Sequence, residues 1–129
     1  MFANAQRCIR CDCAYGPNDP TLVCKSCSSP LDIQYNLDAI RDRVSRESLA
    51  GGIRSLWRFR EFLPVTRDES IVSLQEGMTP LKQASRYGAS IGVRELVLKL
   101  DYLNPTGSFK DRGNTVNVSR LKELHRLGY

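Results

Sequence analysis

The chain has 129 residues, 41% hydrophobic and 26% charged, with a formal net charge of +5. That make-up suits one modest globular domain, or a small module joined to part of a larger one, and excludes a disordered chain. No apolar run approaches the length of a membrane span, and the N-terminal MFANAQRC has neither a signal-type apolar core nor an Arg/Ser-rich transit segment, so a cytoplasmic protein without membrane contact is expected.

Residues 1–36 are rich in Cys, Asn, Asp, Pro and Ser and poor in apolar mass, and GPNDP (Gly16–Pro20) reads as a turn. All five cysteines fall within the first 27 residues. Four of them form two Cys-x-x-Cys pairs, Cys8 with Cys11 and Cys24 with Cys27, twelve residues apart. Each pair can turn two thiolates toward one metal ion, and two pairs close a tetrahedral sulfur shell. Zinc is the default metal for soft thiolates without redox duty, and disulfides are not expected in the cytosol. A structural zinc ribbon is therefore expected over 1–36. The alternative is the same ribbon with reduced, empty cysteines. Asp12 and Ser28 stand where such knuckles often carry glycine. Cys13 is the spare thiol, read as a small half-buried residue. A zinc ribbon on a basic chain also raises nucleic-acid binding. Yet this segment has Arg7, Arg10 and Lys25 against Asp12, Asp19 and Asp32, a balance that makes a phosphate-binding face unexpected.

From Leu37 the texture changes. LDAIRDRVSRESLA sets Leu37, Ile40 and Val44 at helical spacing; Gly51 and Gly52 interrupt; IRSLWRFREFLP resumes the spacing until Pro64. Residues 37–65 thus read as a helical linker, with Trp57 and Phe59 as packing residues. In 66–129, Ile71, Val72 and Leu74 suggest an extended piece and EGMTP a turn, while LKQASRYGASIGV reads as loop or short helix. Arg94–Tyr102 reads as a strand and Phe109–Leu127 as a helix, with Val118, Leu121, Leu124 and Leu127 along its apolar face and Gly128 as its C-cap. His125, the only histidine, lies among charged residues and reads as solvated. Strand, turn and helix make one step of an open α/β sheet. A parallel sheet needs more strands than these residues supply, so the beginning of a larger domain is expected.

NPTGSFKDRG (Asn104–Gly113) joins that strand to that helix. Three lysine chemistries compete at Lys110. A phosphate-gripping P-loop needs Ser or Thr after the lysine, where Asp111 stands. A solvated helix lysine is the plain reading. A Schiff-base lysine needs an accessible strand end, small neighbours that admit a flat cofactor, and burial that keeps the amine unprotonated often enough to attack a carbonyl; the turn, Gly107, Ser108 and the planar Phe109 suggest such a setting. Asp111 and Arg112, on the first helical turn, read as a helix-end salt bridge.

NPTGSFKDRG resembles the cofactor-lysine motif of the fold-type-II pyridoxal-phosphate enzymes, most closely that of the threonine synthases. Three more stretches agree in order. The double Cys-x-x-Cys resembles the N-terminus of many of these enzymes, LWRFREFLPV (Leu56–Val65) their W-R-[YF]-x-x-x-L-P segment, and VSLQEGMTPL (Val72–Leu81) their V-S-L-x-E-G-x-T-P-L signature. The resemblance implies that Lys110 carries pyridoxal 5'-phosphate, that Phe109 and Ser108 border it, and that Thr79 borders the substrate. It implies a carbon–oxygen lyase that converts O-phospho-L-homoserine and water to L-threonine and phosphate, and a homo-oligomer when complete. A cysteate synthase or a threonine dehydratase-like enzyme is the alternative within the superfamily; a nucleic-acid-binding ribbon or a non-catalytic remnant is the alternative outside it.

The expected fold is therefore α/β: a zinc-ribbon-like segment (1–36), a helical linker (37–65), and the N-terminal portion of a catalytic domain (66–129). These enzymes hold the cofactor phosphate with a Gly-rich loop and the ring nitrogen with a Ser or Thr, both later in the chain. A fragment is therefore expected, one that is silent by itself and relies on a C-terminal part or a complementing chain. Asn114 also stands where a small apolar residue is usual.

Overall fold

A computed structural model describes residues 2–129. The N-terminal segment forms an antiparallel three-stranded sheet from β1 (Ala3–Cys8), β2 (Ala14–Tyr15) and β3 (Leu31–Tyr35), in the order β2-β1-β3. The register sets Cys8 opposite Leu31 and Gln6 opposite both Tyr15 and Ile33. Burial alternates unevenly along β1: Ala3, Gln6 and Cys8 face inward. Gln6 is inward because its amide holds the following turn. Nε2 donates to Gly16 O at 3.2 Å and to Asp19 O at 2.7 Å. These bonds satisfy carbonyls that a chain with so few apolar residues leaves half-covered.

The linker is less regular than its periodicity suggests. One helix over 37–50 is replaced by α1 (Leu37–Arg43) and α2 (Arg46–Ala50). Asn36 caps α1 by accepting from Ala39 N at 3.0 Å. Val44 is extended, and Ser45 opens α2 through a reciprocal cap with Ser48. Serine hydroxyls favour such caps over a helix interior, so the break falls there. Leu56–Phe62 is a 3-10 run kinked at Phe59, not an α-helix. Trp57 is buried as expected.

Beyond Pro64 the chain runs extended past Ile71 and Val72, yet forms no strand there. β4 (Leu81–Gln83) pairs antiparallel with β5 (Val97–Lys99), Leu81 opposite Lys99. Between them lies the short helix α3 (Ser85–Ser90). β4 lies inside the stretch read as loop or short helix, and β5 is shorter than the expected Arg94–Tyr102 because Asp101–Leu103 turns into a 3-10 coil. The final helix, α4 (Lys110–Arg126), sits where expected, and Gly128, at φ +89°, closes it in a conformation that suits glycine.

The buried face of α4 differs from the expected one. Leu124 is buried, but Leu121 is 60% exposed, and Val118 and Leu127 are exposed too. The inward stripe is polar: Asp111, Thr115, Ser119 and Glu123, each one helical step of four from the next. Its partner is segment 66–76, which forms one 3-10 turn at Asp68–Ser70 and no strand, so that several of its backbone groups have no ladder partner. Ser119 Oγ accepts from Val72 N at 2.8 Å and donates to Thr115 O of its own helix at 2.7 Å. Glu123 Oε1 accepts from Thr66 N at 3.0 Å and Arg67 N at 3.1 Å. The helix thus stands in for the missing neighbour strand.

Candidate functional site

Two sites follow from this frame. The first is the cysteine cluster. The Sγ atoms of Cys8, Cys11, Cys24 and Cys27 all lie within 4.8 Å of one another, and three of their separations are 3.5 Å. A tetrahedral zinc site with bonds of about 2.3 Å has sulfur edges of about 3.8 Å, so this donor set fits one such ion. The two knuckles repeat one another. Cys8 N donates to Cys13 O at 2.9 Å and Asp12 N to Cys8 O at 3.2 Å; Cys24 N donates to Ser29 O at 2.9 Å and Ser28 N to Cys24 O at 2.8 Å. Asp12 (φ +62°) and Ser28 (φ +57°) adopt the left-handed conformation that glycine usually supplies, at a cost of roughly 1 kcal/mol each. The knuckle geometry therefore survives the two departures from glycine.

Backbone N–H groups of Arg10 and Cys11 approach Cys8 Sγ at 3.4 Å each. The Cys11 N–H foremost holds the Cys8 thiol below its ordinary range, against burial. Tyr15 Oη donates to Cys24 Sγ at 3.3 Å; this bond foremost, with the Ser26 and Cys27 N–H groups, lowers Cys24 to about 5. Donors aimed at sulfur are what thiolate ligands need. Cys13 stands outside the quartet, half-buried, its thiol 3.5 Å from Ser26 Oγ.

The second site is the lysine turn. Lys110 is the first residue of α4, exposed, and follows β5 after a 3-10 turn and the Asn104–Phe109 loop. The turn before it is fixed from three sides. Gly107, at φ +77°, donates to Asn104 O at 2.8 Å. Asn104 is buried; its Nδ2 reaches Asp101 O at 2.7 Å, and its Oδ1 accepts from Gly77 N at 3.0 Å. Ser108 Oγ accepts from Lys110 N at 3.2 Å. Asp111 is buried and accepts from Thr106 N at 2.9 Å and from the Thr106 hydroxyl.

Of the expected helix-end pair, only Arg112 forms a salt bridge, and it reaches across to Asp101 at 2.9 Å; Asp111 instead ties the preceding turn to the helix through Thr106. Thr79 Oγ1 donates to the same Asp101 oxygen at 2.8 Å and lies 3.3 Å from Arg112 Nη2. Hydrogen bonds from Arg112 and then Thr79 hold the Asp101 carboxyl below its usual range. Thr79 is thus joined to the first turn of the lysine helix. Phe109 is 64% exposed beside Lys110. A Cβ at Gly107 would meet nothing closer than Tyr102 O at 3.9 Å, so a flat group has room beside the turn. The fit to a carbonyl-bearing aromatic cofactor rests on that open flank, the apolar ring of Phe109 and the exposed amine.

Sequence reading did not single out Glu76, Asn104, Asp101 or Thr115. Glu76 is wholly buried and accepts from Thr115 Oγ1 at 2.7 Å, Leu74 N at 2.8 Å and Ser73 Oγ at 3.0 Å, while its carbonyl accepts from Leu56 N at 2.8 Å. At Gly77, φ is +88°, and a Cβ would stand 2.9 Å from Arg112 Nη1 and 3.0 Å from Leu56 N, so only glycine fits. A cavity of about 410 Å³ lies elsewhere, among Phe2, Arg43, Arg60 and Val65, and its lining includes neither Lys110 nor a cysteine.

Burial pushes the Glu76 carboxyl up, but the hydrogen bonds from Thr115, its own backbone, Leu74 and Ser73 outweigh it, and the group titrates below its ordinary value. A lowered folded pKa stabilises the fold above the unfolded value, and that stabilisation is lost as pH falls through the folded one. Glu76→Gln is therefore expected to be less stable than the parent at pH 7, with the gap closing below about pH 4. Urea unfolding at both pH values checks this; an equal gap at both would contradict it.

Residues 72–128 match the family model described as pyridoxal-phosphate dependent enzyme. The chain is 44% identical over 119 residues to a threonine synthase of Methanocaldococcus jannaschii, covering 92% of this chain and 29% of that protein. It is 38% identical over 118 residues to a threonine synthase of Methanosarcina acetivorans, covering 92% and 28%. It is 51% identical over 67 residues to one from Synechocystis, covering 50% and 17%. The chain thus spans less than a third of the length of these curated relatives. Among the described residues, no helix is long and apolar enough to cross a membrane. The match, with relatives aligned along nearly all of the chain, shows that residues 72–128 belong to the family of pyridoxal-phosphate dependent enzymes.

Proposed function

We propose that this chain supplies the metal ribbon and the lysine-bearing segment of a threonine synthase-type lyase acting on O-phospho-L-homoserine. The observation that carries the reading is Lys110 itself, the first residue of α4 inside the matched segment, which the residues present leave exposed and which the rest of such an enzyme would have to cover. The names of the aligned relatives support the substrate class. In this reading residues 1–36, 37–65 and 66–129 are ribbon, linker and the first part of the catalytic domain.

Lys110 would hold the cofactor through its aldehyde carbon, with Phe109 covering the ring and Ser108 beside it. When bound, the cofactor supplies an electron sink for carbanion charge next to the amino group. The residues present here would supply part of the acid–base chemistry and of the substrate border. The Lys110 amine would serve to move protons at substrate Cα and Cβ. Thr79, fixed through Asp101 and Arg112, would border the substrate. The buried Glu76 and Asn104 hold the two loops in register and touch no reactant.

The nucleic-acid alternative is not favoured: in the ribbon Arg7 is paired with Asp12 at 2.7 Å and Lys25 with Asp19 at 3.8 Å. The test of substrate class is a product assay on the active protein. Threonine and phosphate released from O-phospho-L-homoserine, with O-phospho-L-serine and threonine itself left unconsumed, is the expected result. Consumption of threonine would point to a dehydratase, and of phosphoserine to a cysteate synthase-like enzyme. Nucleic-acid affinity with a steep salt dependence would instead place the ribbon on phosphates.

A further inference from the structure

The GPNDP turn of the ribbon docks on the lysine helix through one residue. Arg120 is only 14% exposed at its side chain. Its Nη1 donates to Asn18 Oδ1 at 3.0 Å and its Nη2 to Pro17 O. The same guanidinium pairs with Glu123 Oε2 at 3.2 Å. Glu123, 1% exposed, is the acceptor that holds Thr66 and Arg67. On the other side, Gln6 grips the same turn at Gly16 and Asp19, and Gln6 lies two residues before the ligand-type Cys8. Segments more than a hundred residues apart in sequence are thus joined by hydrogen-bonded polar groups.

We propose that Arg120 is a positioning residue: it clamps the Pro17–Asn18 turn onto α4, so that the local stability of the lysine helix depends on the folded state of the ribbon. The physical reason is the cost of leaving Arg120 and Glu123 half-paired and buried. If the ribbon loosens, the guanidinium loses both turn acceptors, Glu123 is left with a cation that no longer has fixed geometry, and the helix and the 66–76 segment open together. Arg120 lies about 15 Å along the helix from Lys110, so it acts on the lysine by holding the rod and touches no reactant. Metal in the four-cysteine cluster is the lever on the ribbon, and in that respect the inference rests on the metal reading.

Hydrogen–deuterium exchange of the full chain tests it, with zinc(II) added or removed by EDTA, in the parent, Arg120→Met, Arg120→Lys and Asn18→Ala. In the parent, zinc removal is expected to speed exchange in the ribbon and to raise that of residues 115–126 about tenfold. In Arg120→Met, α4 exchanges at the faster rate with zinc present and responds no further to its removal, while the ribbon still responds; Arg120→Lys, which keeps one donor group, falls between. Parent-like α4 exchange in Arg120→Met, or an equal α4 response to zinc removal in both proteins, overturns the clamp. If no zinc binds and EDTA changes no ribbon peptide, the metal reading fails and the clamp is judged separately: Asn18→Ala and Arg120→Met must each speed α4 exchange, and their combination must be no faster than Arg120→Met. Additive effects there overturn it.

Discussion

Lys110→Ala is expected to remove turnover of O-phospho-L-homoserine by the active protein, by at least about a thousandfold, while leaving the fold intact. The size follows from what the amine does in the proposed mechanism, since one side chain both holds the cofactor and moves protons at two carbons. The second half follows from its surroundings. Lys110 is exposed, and its structural bond is made by its backbone N–H to Ser108, so its removal is expected to change stability by no more than about 0.5 kcal/mol. Lys110→Arg is expected to be as silent as the alanine variant, because a guanidinium keeps the charge but does not deprotonate to attack a carbonyl. Matched thermal melts and the visible absorbance of bound cofactor separate chemistry from folding. The same exposure bears on the 129-residue chain by itself. With Lys110 and Phe109 open to solvent, a carbonyl captured by the amine returns to water, so that chain is expected to give weak lysine adducts and no turnover. Turnover by Lys110→Ala within about tenfold of the parent would remove the lysine from the reaction.

What could be read in advance was local. Two Cys-x-x-Cys pairs force thiolates together whatever surrounds them, and a strand followed by N-P-T-G-S turns into a helix at Lys110 on turn chemistry alone. What could not be read was set by distant partners. Hydrophobic periodicity assigns the inward face of α4 to Val118, Leu121, Leu124 and Leu127. The inward face is Asp111, Thr115, Ser119 and Glu123, because the neighbouring segment 66–76 presents bare backbone groups, and buried N–H groups need acceptors more than they need methylenes. The apolar side of α4 is left exposed, as are the strands β4 and β5. Glu76 shows the same limit. As one letter of E-G-M-T-P it reads as a turn residue, but its carboxylate is the knot that ties Ser73, Leu74 and Thr115. The spacing offered no separate signal, since Thr115 and Ser119 four residues apart are also what a solvated helix face shows.

The ribbon is expected to lose its fold when its metal is removed. Protein purified without added metal should carry about one equivalent of zinc, and a chelator or Cys24→Ser should release it. The reason is the scarcity of anything else to hold these residues. Through residue 36, the buried apolar groups among the described residues are Ala3, Cys8 and Cys24, two of which are proposed ligands, while Ile9, Leu22 and Val23 are exposed. Hydrophobic burial on that scale does not offset the chain entropy of some thirty ordered residues, at roughly 1–2 kcal/mol each. Structural zinc contributes about 10–16 kcal/mol of apparent binding free energy in comparable small modules, and there binding and folding are the same event. Cys24→Ser is the severest single change, since Cys24 is buried and takes the Tyr15 hydroxyl bond that orients the second knuckle. Cys13→Ser, by contrast, is expected to keep both metal and fold, because Cys13 lies outside the quartet. Asp12→Gly and Ser28→Gly relieve left-handed backbone at φ +62° and +57° and are expected to raise stability by up to about 1 kcal/mol each. Elemental analysis with circular dichroism of the metal-free protein checks the set. Four freely titrating thiols in metal-free protein whose β1–β3 sheet is unchanged would show that the cluster is a fold without an ion.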